Sequence, residues 1–93
     1  MIYPLRKAMH SSTIRLLPQE REGTYKFDGK FVATRGAIDK FGWAVIAECQ
    51  LMLLGEVGKR GGLDYLQVFE IDGQKLLFID EVGYVTALLP EDY

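Results

Sequence analysis

Leu66-Gln67-Val68-Phe69-Glu70-Ile71-Asp72-Gly73-Gln74-Lys75-Leu76-Leu77-Phe78-Ile79-Asp80 is the stretch that decides the fold. Two runs rich in β-branched, aromatic and aliphatic residues flank an Asp-Gly pair, the strongest short-range signal for a β-hairpin. With Asp72-Gly73 as the turn, Glu70 faces Lys75, Phe69 faces Leu76, Val68 faces Leu77 and Leu66 faces Ile79. An ion pair and three apolar pairs thus fall into register together. Both faces of the hairpin are apolar, which belongs to strands in the middle of a sheet or under a helix and a partner. Beyond it, Glu81-Val82-Gly83 reads as a second turn, and Tyr84-Val85-Thr86-Ala87-Leu88-Leu89 pairs back before Pro90 stops it, making a three-stranded meander.

Upstream, a second Asp-Gly pair, Asp28-Gly29, joins Thr24–Phe27 to Lys30–Thr34 and predicts a further hairpin. Its register stays open: a two-residue turn sets Tyr25 opposite Val32, and a three-residue loop sets it opposite Phe31. Between the hairpins, Phe41, Val45, Cys49 and Met52 recur at helical spacing, which predicts one long helix over residues 40–54 with Asp39 as N-cap and Gly55 as the terminating glycine. Alternation of Trp43, Val45, Ala47, Cys49, Leu51 and Leu53 competes as a strand pattern, but the stretch is long for a strand and its Ala, Glu, Gln, Leu and Met favour helix. The back of that helix, Ala44, Ala47 and Leu51 around Glu48, is barely polar, as though covered on two sides. Thr13–Leu17 reads as a short strand ended by Pro18, and residues 1–11 as a flexible segment ordered only by docking. The expected architecture is a single α+β domain over residues 1–93. In it an antiparallel sheet of about five strands, with two Asp-Gly hairpins and a C-terminal meander, packs on one long helix.

Composition agrees with a folded domain: 93 residues, 48% apolar and 26% charged, with no low-complexity tract. A chain this short buries a modest core and leaves apolar surface for a partner or a second copy, and it has little room for a deep cleft. The single Cys49 permits no internal disulfide, pointing to a reducing cytoplasm, and no basic head with an apolar run begins the chain. The longest nearly uncharged run, Phe41–Gly55, is shorter than the roughly 20 residues of a spanning helix, so no membrane segment is expected.

Charge is unevenly spread. Residues 1–40 hold eight Lys and Arg against four acids, and residues 41–93 hold three against nine, so halves of +4 and −6 make the net −2. Such a split either steers a charged partner or marks two solvated faces.

The run Leu63-Asp64-Tyr65-Leu66-Gln67-Val68-Phe69-Glu70 resembles a signature of the domain of unknown function family 960, small proteins of low-GC Gram-positive bacteria and their mobile elements. Ala33-Thr34-Arg35-Gly36, Gln50-Leu51-Met52-Leu53-Leu54 and Thr86-Ala87-Leu88-Leu89-Pro90-Glu91-Asp92-Tyr93 resemble the same pattern in the same order, about half of the chain in all. The resemblance implies a similar core, in a protein of bacterial or mobile-element origin. The family carries no assigned activity, so the resemblance supplies no chemistry.

Candidate chemistry has to come from the residues. Gly55-Glu56-Val57-Gly58-Lys59-Arg60-Gly61-Gly62 is rich in glycine and carries a lysine, but it fails as a phosphate loop: Leu53 stands where the first glycine belongs, and Arg60 follows the lysine. It reads as a helix stop with a mobile connector. One histidine, His10, and one cysteine make no zinc ligand set. His10 beside Ser11, Ser12 and Thr13 does not converge on an extended segment, and Asp80 with Glu81, like Asp64 with Asp72, sits where solvated hairpin-end acids are usual. No catalytic residue, cofactor or metal is expected.

Aromatic residues interleaved with bases make Lys26, Lys30, Phe31, Arg35, Lys59 and Arg60 candidate nucleic-acid contacts. A core strand with solvated lysines gives the same pattern. Trp43, Leu51, Tyr65 and Tyr84 are the candidate protein-partner surface. The sequence therefore predicts a non-enzymatic protein–protein interaction or regulatory module that self-associates. The alternatives are a nucleic-acid binder using the basic half, and an acidic inhibitor occupying another protein's nucleic-acid groove.

Overall fold

The computed structural model describes residues 13–19 and 21–93. Their elements are β1 (Ile14–Leu16), β2 (Lys30–Ala33), α1 (Arg35–Arg60), β3 (Leu66–Ile71), β4 (Gln74–Asp80), β5 (Tyr84–Leu88) and a closing 3-10 turn, Pro90–Asp92. The five strands form one sheet in the order β1-β3-β4-β5-β2, with α1 on one face. The expected α+β class and strand count hold. The segment 1–11 lies outside the described residues.

The deciding hairpin forms in the expected register, Glu70 opposite Lys75, Phe69 opposite Leu76, Val68 opposite Leu77 and Leu66 opposite Ile79. Asp72 and Gly73 take the positive φ values, 50° and 83°, that a tight two-residue turn demands. β5 pairs antiparallel with β4 and completes the meander. β1 pairs antiparallel with β3 at the edge, where Arg15 meets Glu70.

The Asp28-Gly29 hairpin does not exist. Lys30–Ala33 instead pairs parallel with β5, Phe31 beside Val85 and Ala33 beside Ala87, so the sheet is mixed rather than wholly antiparallel. Three non-local contacts outweigh the local turn signal. Phe27 is 1% exposed and belongs to the core; it sits at φ 54°, and its N–H donates to Asp80 Oδ2 at 2.9 Å. Gly29 runs so close to the β4–β5 turn that a Cβ there would lie 2.6 Å from the carbonyl carbon of Gly83. Tyr25 pairs instead with Leu63 in an isolated bridge.

The helix is longer than its apolar repeat. It spans 26 residues, starting at Thr34, whose hydroxyl accepts from the Ala37 N–H, and ending at Gly61 in the left-handed region. Asp39 and Gly55 are interior residues, correcting both expected caps and dissolving the expected connector over 55–60. Gly42, at φ 80° and ψ 155°, breaks the helix near its start. An 18-residue window of α1 has a mean hydropathy of 1.2, so by length and apolarity it could cross a bilayer. That corrects the length argument made from Phe41–Gly55. In this fold α1 instead buries Ala37, Ile46, Cys49 and Leu53 against Phe69, Ile71, Leu76, Phe78, Val85 and Ala87 of the sheet.

Burial pushes the Cys49 thiol up to about 12, with the charge of Glu48 adding to it. A thiolate is the reactive form, so native protein is expected to leave an aromatic disulfide reagent unreacted and to consume one equivalent only after denaturant unfolds it. Prompt reaction of the native chain would show that α1 opens.

Candidate functional site

The candidate nucleic-acid contacts do not assemble. Arg35 begins α1, paired with Asp39 at 3.3 Å, and Arg60 ends it, paired with Glu56 at 2.8 Å, so the helix length separates them. The Lys26 ammonium donates to the Gly61 carbonyl at the helix C-terminus, where Lys59 also lies in the last turn. Lys30 opens β2 beside Tyr84. Phe31 is no stacking platform: it is half-buried, stacked on Phe78 at 5.8 Å with planes 8° apart, and its edge meets Trp43 at 6.3 Å. A backbone-tracking stripe with free aromatics is absent among the described residues.

Small cavities line the loop that follows β1. One of about 320 Å³ is walled by Leu17, Pro18, Arg21, Asp64, Leu66 and Val68, with Gln19 and Gln67. A second, of about 210 Å³, is bounded by Glu56, Arg60 and Leu63 with the same two glutamines. Gln67, 2% exposed, donates to Gln19 Oε1 at 2.6 Å and to the Asp64 carbonyl at 3.0 Å. Gln19 also accepts from the Asp64 N–H at 3.0 Å. These bonds tie the loop to the sheet edge and satisfy buried polar atoms; no nucleophile faces a base there. Among the described residues no group of three or more His, Cys, Asp or Glu side chains converges for a metal ion. His10 lies outside them.

At that edge Arg15 donates to Glu70 Oε1 at 2.6 Å. The guanidinium bond holds the Glu70 carboxyl below its ordinary range, and Lys75 adds to the effect. A carboxyl depressed on folding stabilises the fold above its unfolded value near 4.3 and loses that contribution as pH falls through the folded value. In a carbon-detected titration Glu70 is expected to ionise below an ordinary glutamate, and Arg15→Gln to return it upward.

The candidate partner residues divide. Tyr65, 39% exposed, is engaged: its ring lies 6.2 Å from Tyr25, and its hydrogen bond to Tyr93 raises the Tyr93 hydroxyl above the ordinary phenol range. Tyr84 stands on the sheet face turned away from α1, next to Lys30. Trp43 and Leu51 are on α1, 51% and 70% exposed, and Met52 and Leu54 add to that surface. Ala44, Ala47, Gly55 and Gly58 are exposed around them. From Trp43 to Gly58 the helix has only two charges, Glu48 and Glu56, and Glu56 is half-buried and tied to Arg60. What the sequence pointed to as a barely polar back face is an open, nearly uncharged surface in the single chain. Compared with family models, with curated proteins and with solved structures, the chain matches none, so this helix surface stands on its own geometry as the candidate site.

Proposed function

We propose that this chain is a non-enzymatic protein–protein interaction module that self-associates through the outer face of α1. The observation that carries the reading is Leu51, a leucine more than two-thirds exposed in the middle of a helix surface whose only free charge is Glu48. Contiguous apolar surface of this kind marks an interaction site on a soluble domain. Exposed Ala44, Ala47, Gly55 and Gly58 let a second helix approach closely, and a two-fold arrangement lets one patch meet its own copy.

Sedimentation over a dilution series is expected to show a dimer at micromolar concentration. Leu51→Glu should shift it to monomer without lowering the unfolding free energy, since the side chain is solvated in the monomer. A wild-type monomer at hundreds of micromolar would overturn the reading. Flotation with lipid vesicles, lost in Leu51→Glu, would reassign the face to a bilayer surface. No salt-sensitive binding of single-stranded oligonucleotides is expected. A submicromolar complex at physiological salt that Lys26→Glu, Lys30→Glu and Arg35→Glu abolish would replace this proposal with nucleic-acid binding.

A further inference from the structure

We propose that the cavity beside the C-terminal end of α1 binds a free α-amino acid with an apolar side chain, taken up as the zwitterion. It holds about 210 Å³, less than the about 300–1,000 Å³ of sites for drug-sized ligands. Its occupant is correspondingly small. Gln67 carries the argument: it is 2% exposed and lines both this cavity and the neighbouring one of about 320 Å³. The backbone of Asp64 fixes how the two glutamines are turned. Its N–H needs an acceptor and finds Gln19 Oε1 at 3.0 Å, and its carbonyl needs a donor and finds Gln67 Nε2 at 3.0 Å. Gln67 Nε2 also donates to Gln19 Oε1. Two groups are left over among the described residues, the Gln67 Oε1 acceptor and the Gln19 Nε2 donor. A buried amide oxygen without a donor is costly. A ligand that brings a donor to the first group and an acceptor to the second completes the network.

Water supplies both in a neutral cavity, but this wall also carries one charge of each sign. Arg60 Nε donates to Glu56 Oε2 at 2.8 Å, which leaves the two Nη groups of the guanidinium and Oε1 of the carboxylate without a partner among the described residues. A ligand carboxylate accepts from the Nη fork and from Gln19 Nε2. A ligand ammonium donates to Glu56 Oε1 and Gln67 Oε1. Leu17 and Leu63 add apolar surface to the same lining, where a branched aliphatic side chain is withdrawn from water. A peptide end does not fit this set, because an N-terminal residue lacks the carboxylate and a C-terminal residue lacks the ammonium. The site uses neither Trp43 nor Leu51, so it is independent of self-association through the outer face of α1.

The test titrates the full chain with L-leucine and follows the side-chain NH2 signals of Gln19 and Gln67. Both are expected to shift along one saturable curve, in the wild type and in Lys59→Ala and Leu51→Glu alike. N-acetyl-L-leucine and L-leucinamide, each lacking one charge, should bind at least tenfold more weakly, as should glycine for want of a side chain. Arg60→Gln and Glu56→Gln should each weaken L-leucine at least tenfold. Arg60→Lys, which keeps the charge but loses the fork, should fall between. These variants alter a surface ion pair, so their backbone amide spectra should match that of the wild type. No saturable shift at tens of millimolar L-leucine would overturn the proposal. So would equal affinity for N-acetyl-L-leucine or L-leucinamide, since a chain terminus and not a free amino acid would then be the ligand.

Discussion

Truncating Phe69 to alanine is expected to lower the unfolding free energy by about 3–5 kcal/mol, the range for removing a buried phenylalanine. Phe69 has no exposure. It is flanked on the sheet by Leu16 and Leu76, and its ring meets Phe78 at 5.3 Å with planes 63° apart. The alanine leaves a cavity on the face that α1 covers, and a rigid sheet cannot collapse to fill it. A domain of this size holds about 5–10 kcal/mol in total, so a denaturant titration should show the midpoint falling steeply at constant slope. Lys59→Ala and Arg60→Ala should each cost less than about 0.5 kcal/mol, since Lys59 is solvated and the Arg60–Glu56 pair is a surface one. Equal losses at these sites would mean that the helix end is packed or ligand-ordered.

The second large effect is expected at Asp80. The residue is 8% exposed, and its carboxylate accepts from the Phe27 N–H through Oδ2 and from the Val82 N–H through Oδ1 at 2.9 Å. Both donors sit at positive φ, 54° and 56°, a conformation that bulky side chains avoid. One side chain therefore holds two strained segments in place. Asp80→Ala strands a buried N–H, and its cost should be about 2–4 kcal/mol. Asp80→Asn should be nearly as harmful despite its shape, because its NH2 group must face one of the two N–H donors. Hydrogen exchange is the check: the amides of Phe27 and Val82 should lose protection in both variants ahead of the amides of β3. Retained protection in Asp80→Asn would show that another acceptor serves these turns.

How much was legible in the residues follows the range of the forces involved. The Asp72-Gly73 hairpin was readable pair by pair because its turn, ion pair and alternation are all local and agree. Asp28-Gly29 sends the same local signal, but Phe27 enters the core and Asp80, far along the chain, takes its N–H, so tertiary contacts override the turn. β2 had no readable partner, since a parallel neighbour supplies no hairpin and no fixed spacing. The helix ends were within reach and missed: Glu56 and Arg60 stand at i and i+4, and Lys59 and Arg60 suit a helix C-terminus just before Gly61. Gly55 and Gly58 obscured this, being residues that usually end helices. Of the candidate surface, Trp43 and Leu51 could be found from the weak polarity of the helix back. The engagement of Phe31 with Phe78, and of Tyr65 with Tyr25 and Tyr93, depends on the sheet order and could not.

The parallel pairing of β2 with β5 also sets a timetable. During synthesis Lys30–Ala33 emerges long before Tyr84–Leu88, the strand it must lie beside. Until Tyr84–Leu88 emerges, β2 has no strand to lie beside and α1 has only part of a sheet to rest on. Such distant pairing slows folding and lengthens the exposure of a sticky intermediate. The sheet is therefore completed only when its last strand has emerged. Nascent chains halted before Tyr84 would be the natural clients of chaperones and proteases, so cells would tolerate few prematurely ended copies.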